Sequence, residues 1–494
     1  MRQFHTGRAV REQDRIDGSR AFAELCDSDR NMGGSRTRRA TSICIERETP
    51  MSKTRRLMGL TAAASVFALA AAACGAPEDD GEGRGEVPDD AQDCANYEDY
   101  GSFDGETVSI IGSIRDTEAD EMMEGWSYFE KCTGITIDYE GTGEFEADMT
   151  VRVDGGNAPD IALFPQPGLM QNFVDDLVPA SEEVTALATE GWSEDWLDYG
   201  TIDGTFYAPP NSANAKSFIW YSPSFFQEGG YEIPTTWDDL ITLSDKIAAD
   251  GVKPWCVGFE SGASTGWPGT DWIEDIVLRE GTDLYDQWVN HEIPFNDPKI
   301  VAAIEKAGSI VTNEDYVFNG TDTISSTAFQ EAGYPILDGD CAMYRMASFY
   351  GAMWPEGTEV AEDGDVFAFR FPEKNEGDNT MLVGGEFVAA FHDSEAIEAT
   401  RQFLASELYH NARLQTGPWS TARQGVDPAN ATTPINELAT QILTDPDVTV
   451  RFDGSDLMPG EVGAASFWNG VIEWVDGAKD AQQMADDIEA SWPQ

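Results

Sequence analysis

Histidine is almost missing from this chain: there are four in 494 residues, and only His291, His392 and His410 lie beyond residue 74. None stands near a candidate nucleophile, so histidine-dependent catalysis has little to stand on, and their scarcity disfavours metals as ligands. Basic residues are also scarce. Lys and Arg number 31 against 90 Asp and Glu, a formal net charge of −59; after Cys74 the counts are 18 and 82. Nucleic acid and anionic membrane surfaces would repel such a chain and are excluded as partners. The same charge fits a saline habitat, where dissolved salt screens self-repulsion. No Gly-rich loop runs into Lys-Ser or Lys-Thr, which removes a phosphate-cradling ATPase site. Internal repeats are absent. Only one long apolar run occurs, Leu57 to Ala73.

That run follows the basic head MSKTRR at Met51 and has the length of an export signal. It ends in Ala71-Ala72-Ala73-Cys74-Gly75, similar to the lipobox at which bacterial lipoproteins are cleaved and acylated, with Ala71 where the pattern prefers Leu. Residues 51–73 are therefore expected to be a lipoprotein signal peptide and Cys74 a lipid-anchored N-terminus. A single membrane-spanning anchor is the competing reading, at the short limit for crossing a bilayer. Residues 1–50 are Arg-rich without a sustained apolar period and precede a complete signal; they read as a mis-called upstream extension. Residues 74–104 are expected to be an acidic linker, solvated through the Gly, Pro, Asp and Glu of Ala76 to Asp93.

What is present is enough to fold. About 400 residues remain after Cys74, more than one core usually supports, so two lobes are expected. Fourteen tryptophans and 11% aromatics argue against a largely disordered chain. Four cysteines follow Cys74, an even number in an exported protein, which suggests two disulfides. Three pairings are open; Cys94 with Cys132 and Cys256 with Cys341 is favoured because each pair then lies within one expected lobe.

The periodicity is α/β. Val108, Ile110 and Ile111 read as a strand; Ala119, Met122, Trp126 and Phe129 fall on one helical face; Ile135 to Tyr139 reads as a second strand. A helix over Phe145 to Val153 then leads to a strand at Ile161 to Phe164. This alternation predicts a parallel sheet with helices on both faces, and ligand at the turns Gly112–Glu118 and Phe164–Gly168 beyond the strand ends. Thr236-Trp237-Asp238-Asp239 has the form of a capping box that opens a second α/β region. A strand is expected at Gly384 to Phe391, with helices at Glu395 to Leu404 and Ala478 to Ala490.

Several segments, in order, resemble family 1 extracellular solute-binding proteins, the group that includes maltose-binding protein, and especially its alpha-glucoside-binding branch. They are APDIALF (158–164), FIWYSPSFFQEGGYEIPTTWDDL (218–240), PWCVGFESGASTGWPGTDWIEDIVLR (254–279), LVGGEF (382–387) and DLMPGEVGAASFW (456–468). The resemblance implies a two-lobed α/β fold of the type II periplasmic-binding-protein kind, with discontinuous lobes joined by a hinge. Lobe one would comprise 105–215 and 381–425; lobe two 216–380 and 426–494.

The implied function is capture of a carbohydrate for an ABC importer, with no catalysis, cofactor or metal. Permease subunits would be the membrane partners, the ATPase a separate chain, and the protein a lipid-anchored monomer at the extracellular face of the bacterial cytoplasmic membrane. Sugars offer hydroxyls at the ring edge and C–H groups on the faces, so a site needs aromatic platforms and planar donors and acceptors. By resemblance Trp468 stacks on a sugar ring; Ser113, Arg115 and Asp116 fall where the family places polar contacts; Phe164 matches a cleft-edge aromatic, with Gln166 standing in for a polar neighbour. Trp267, Asp271, Arg345, Ser348, Glu386 and Trp419 complete the expected ligand set. A structural or solvated role competes at each position. A secreted glycoside hydrolase would need two carboxylates at a set separation, which 82 acidic residues supply by chance. Within binding proteins, a peptide or a polyamine competes with a sugar as the ligand.

Overall fold

A computed structural model describes residues 91–375 and 377–493. The upstream extension, the signal peptide, Cys74 and the first part of the expected linker lie outside the described residues. Among the described residues no helix is long and apolar enough to cross a membrane.

The first sheet has the order Phe387–Ala390, Ile161–Phe164, Thr107–Gly112, Thr136–Gly141. Its last three strands are parallel, as the βαβ pattern requires. The helix Asp116–Thr133 crosses between the first two, buries Met122, Trp126 and Phe129, and stops at Gly134, whose φ of 80° few other residues accept. Alternation along the strands divides the packing. Val108, Ile110, Ile161 and Leu163 face one core with Trp126 and Phe403, while Ile111, Ala162 and Phe164 face another. Phe129 stacks on Phe403 with ring centroids 4.3 Å apart.

The expected parallel sheet is corrected by the strand directions. Phe387–Ala390 pairs antiparallel with Ile161–Phe164, and the second sheet, ordered Phe367–Arg370, Phe218–Tyr221, Cys341–Arg345, Lys253–Trp255, is parallel only at its last pair. Both sheets are mixed because strands that return from the other lobe enter against the local direction. The reason lies in a third sheet. Thr380–Gly384 pairs antiparallel with Asn214–Ala215 and parallel with Thr449–Phe452. The chain then leaves into the first sheet at Phe387 and into the second at Phe218, each after a two-residue turn. These short crossings carry the chain between the third sheet and the other two.

The N-terminal end of the body also begins earlier than expected. Cys94–Tyr100 forms a 3-10 turn with Tyr97 buried against Phe129 and Phe403, so residues 94–100 are packed structure instead of solvated linker. The disulfide Cys94–Cys132 fastens this turn to the end of the first helix, and Cys256–Cys341 ties the residue after the strand Lys253–Trp255 to the first residue of its neighbour Cys341–Arg345. Both are the favoured pairings.

Candidate functional site

A cleft of about 510 Å³ opens at the ends of the first sheet's strands and is walled by both lobes and the crossing segments. Its first wall is the turn Ser113 to Glu118 after the strand Thr107–Gly112. Asp116 takes a left-handed φ of 56°, which Asp and Asn accept more readily than other side-chain-bearing residues. The turn is pressed onto Gly141 and Gly143: a Cβ on Gly141 would lie 2.1 Å from the Ile114 carbonyl, and one on Gly143 2.8 Å from the Arg115 guanidinium. Bare backbone is thus what lets Arg115 lie across the neighbouring loop.

Pro165 and Gln166 follow the strand Ile161–Phe164 into the same cleft. Gln166 Nε2 donates to Glu146 Oε1 at 2.9 Å, and Ser264 Oγ donates to Glu146 Oε2 at 3.2 Å. Glu146, on the helix Phe145–Asp154, therefore links the first wall to the loop that carries Trp267. Burial raises its carboxyl above the usual range, against the hydrogen bonds it accepts.

The opposite wall is aromatic. Trp267, at the first position of the helix Trp267–Glu280, meets Phe329 edge-on at 5.0 Å and lies 6.1 Å from Phe349. Just before it, Gly266 has a φ of 115° and touches the Trp468 backbone, where a Cβ would come within 2.2 Å of the carbonyl oxygen. That close approach sets Trp267 beside Trp468, which sits where a π-turn (Val462–Phe467) passes into an α-helix. Trp419 lines the far side, with the Arg413 guanidinium 5.6 Å from its ring. Three buried polar atoms around the cleft have no hydrogen-bond partner: Gln166 Oε1, Glu386 Oε1 and Trp468 Nε1. Such atoms are costly unless a ligand satisfies them.

Of the residues expected from sequence, Ser113, Arg115, Asp116, Gln166, Trp267, Glu386, Trp419 and Trp468 all border this cleft. Phe164 does not; it is fully buried, edge-on to Phe145 at 5.3 Å. Ser348 is also buried, its Oγ accepting from the Ala215 N–H at 3.2 Å. Asp271 and Arg345 lie beneath the floor in a network of charges. Arg345 bridges Asp271 and Asp275; Asp275 also receives Arg279; Lys216 reaches Asp271 at 3.2 Å and pairs with Asp453. Phe164, Ser348, Asp271 and Arg345 are thus buried behind the cleft and outside its lining.

Residues that sequence reasoning passed over include Glu146, Ser212, Asn214, Lys216 and Asp456; Glu118, also in the lining, is the last residue of the turn expected to meet ligand. Lys216 sits in the crossing segment between Asn214–Ala215 and Phe218–Tyr221, with Nζ 5.2 Å from the Trp267 ring. Asp271, Glu274 and Asp453 bring carboxylate oxygens within 4.8 Å of one another, close enough for a metal. Their donors are already used. The Lys216 ammonium takes two of the three, and Glu274 accepts from the Gly454 and Ser455 N–H groups.

Comparison with known proteins places this geometry among relatives. A family model described as bacterial extracellular solute-binding protein matches residues 114–406. The osmoprotective compounds-binding protein GgtB of Synechocystis sp. is 36% identical over 400 residues, 80% of this chain and 94% of that one. The alpha-glucosides-binding periplasmic protein AglE of Rhizobium meliloti is 33% identical over 401 residues, 78% and 87% of the two chains. Among solved structures, the bacterial solute receptor AcbH superposes with a TM-score of 0.66 at 17% identity, covering 78% of this chain and 97% of that one. Maltose-bound MalE3 of T. maritima gives 0.62 at 14%, covering 78% and 98%. At such identities the structures speak to the fold: two lobes around a cleft.

Proposed function

The chain belongs to the bacterial extracellular solute-binding proteins, and we propose that it is the capture subunit of an ABC-type carbohydrate importer, taking an alpha-glucoside or related oligosaccharide outside the cell and handing it to membrane permease subunits. The observation that carries this reading is the cleft itself. Trp267, Trp419 and Trp468 offer aromatic surface, while Gln166, Glu386 and the Trp468 indole offer polar atoms without partners. Flat apolar faces beside single hydrogen-bonding groups are what a sugar ring requires. The volume suits a small ligand, and the name of the relative AglE supports an alpha-glucoside in particular. GgtB widens the class toward osmoprotective compounds.

Mechanism follows from the hinge. Lobe one comprises 105–215 and 381–425, joined by the packed turn at 94–100, and lobe two comprises 216–380 and 426–493. Closure of the two on a sugar buries it from water, and the ligand shifts an open–closed equilibrium by binding the closed form better. The closed form would dock on the permease. No step needs a catalytic group.

A thermal-shift screen of the mature domain tests the reading. Trehalose, sucrose, maltose, maltodextrins, amino acids, peptides and polyamines are compared, because a ligand that binds only the native form raises Tm by mass action. A rise with an alpha-glucoside, with affinity reduced about 10- to 100-fold in Trp468→Ala, is the expected outcome. A rise with peptides or polyamines alone would keep the fold and discard the sugar.

Tethering is a separate proposal that rests on the motif at 71–75. The full chain expressed in a bacterium should sediment with membranes, and Cys74→Ser should leave it soluble or uncleaved. Equal recovery of both proteins in the membrane fraction, with unchanged processing, would remove the lipid anchor.

A further inference from the structure

Glu386 occupies the turn at which the chain passes from Thr380–Gly384 of the third sheet into Phe387–Ala390 of the first. Its backbone is held on both sides: the carbonyl accepts from the Asn211 N–H at 2.7 Å, and the N–H donates to Ser212 Oγ at 3.1 Å. The preceding Gly385 leaves no room for a side chain, since a Cβ would stand 2.2 Å from the Ser212 carbonyl. The carboxyl is thereby aimed into the cleft wall with 5% of the residue exposed. Ser212 Oγ is 3.5 Å from Oε2, and Oε1 has no partner.

No cation is bonded to this carboxyl. Lys216, the crossing-segment cation, is engaged by Asp271, Asp453 and Asp456. Arg413, from the helix Glu407–Thr416, is near enough to act on it through space, but its Nε and Nη2 are left unbonded and its guanidinium lies against Trp419. The other groups that face Glu386 are Glu118 from the first helix, Tyr139 from the strand Thr136–Gly141, Tyr409 beside Arg413, and Asn211 and Ser212. Glu118 adds a second carboxyl on the same wall, and burial raises that one too, with Arg413 opposing. Burial and the Glu118 charge outweigh the hydrogen bonds from the Asn211 and Ser212 side chains and the Arg413 charge, which favour the ionised form of Glu386.

We propose that Glu386 serves the cleft as a neutral carboxylic acid, its O–H donating to a hydroxyl of a polyhydroxy ligand. The inference deepens, and rests on, the carbohydrate reading. Burial, and then the neighbouring Glu118, push the Glu386 carboxyl up to about 8. Closure over a ligand removes more water from it, so the closed form holds the proton more tightly than the open one. Binding is then flat across neutral pH, and above about pH 8 each mole of captured ligand takes up a proton from solution.

The experiment is calorimetric titration of the mature protein with trehalose, sucrose and maltose from pH 6 to 9.5, in buffers of different ionisation enthalpy. Wild type should lose affinity above pH 8 by up to about tenfold per unit and show proton uptake there. Glu386→Gln keeps a donor without a proton to lose; whatever its affinity at pH 7, it should show no slope and no proton uptake above pH 8. Glu386→Leu should weaken binding at every pH. A flat wild-type profile, or a slope that persists in Glu386→Gln, would overturn the inference and leave the carbohydrate reading standing. Absence of sugar binding at any pH would overturn that reading itself. A ligand-free check is the infrared band of a protonated carboxyl at pH 7 that disappears in Glu386→Gln; if wild type and variant give the same spectrum, the inference fails whatever the ligand.

Discussion

At the scale of single residues, Lys216 answers for more negative charge than any other side chain described. Its ammonium lies within ion-pair distance of Asp271, Asp453 and Asp456, and burial alone would drive its proton off were those carboxylates not there to hold it. The consequences run in both pH directions. Burial on its own would raise Asp453, but Lys216 and the hydrogen bonds around it hold the group well below the usual carboxylate range. Its stabilising contribution is therefore present above the unfolded value near pH 4 and is lost as pH falls toward the folded one. Asp456 has the opposite sign. Burial and the Asp453 charge raise it, so its contribution is complete below about pH 4 and is lost as pH rises through the folded value. Lys216→Met keeps the bulk of the stem and deletes the charge. It should cost about 3–5 kcal/mol in urea denaturation at pH 7.5, and less at pH 5, where the orphaned carboxylates can take up protons. A deficit that is equal at the two pH values would mean that Lys216 acts by packing alone.

At the scale of elements, the local pattern and the long-range arrangement were unequally legible. Period-3.6 spacing at Met122, Trp126 and Phe129 and short continuous apolar runs such as Ile161 to Phe164 located the first βαβ unit, because burial is written into neighbouring residues. Caps were partly legible. Thr236 does accept from the Asp239 N–H, but the Asp239 carboxylate takes the Thr236 hydroxyl, too short to make the reciprocal bond of a full box; that box occurs instead at Asp480 and Gln483. Strand direction was not legible, since nothing local distinguishes Phe387–Ala390 running antiparallel from the same residues running parallel. Depth was not legible either. Asp271 and Trp267 share one helix, yet Trp267 borders the cleft while Asp271 and Arg345 neutralise each other below it. Lys216 carried no motif of its own; topology alone brings it to the cleft.

At the scale of the whole molecule, charge is the dominant oddity, and the fold sharpens it. Of the 18 basic residues after Cys74, Lys216, Arg279, Arg345, Arg401, Arg413 and Arg423 are buried. The solvent-facing surface is thus poorer in cations than composition implies, and among the described residues the cations left to meet exposed carboxylates do so in pairs such as Arg152–Glu140 and small groups such as Lys306 and Lys374 on Glu280. Exposed pairs of that kind contribute little, so self-repulsion is left to dissolved salt. The screening length falls from about 10 Å at 0.1 M to about 3 Å at 1 M, which is enough to separate neighbouring carboxylates electrically. Raising NaCl over that range at pH 7.5 should lift Tm by on the order of 5 °C, and KCl should do the same, because screening depends on ionic strength and not on the identity of the cation. The increment should shrink at pH 4.5, where part of the charge is titrated away. If Tm is unchanged or falls with salt, the acidic surface serves solubility alone. An increment equal at the two pH values would assign the effect to apolar burial instead of charge, and with it the saline habitat would lose its physical argument.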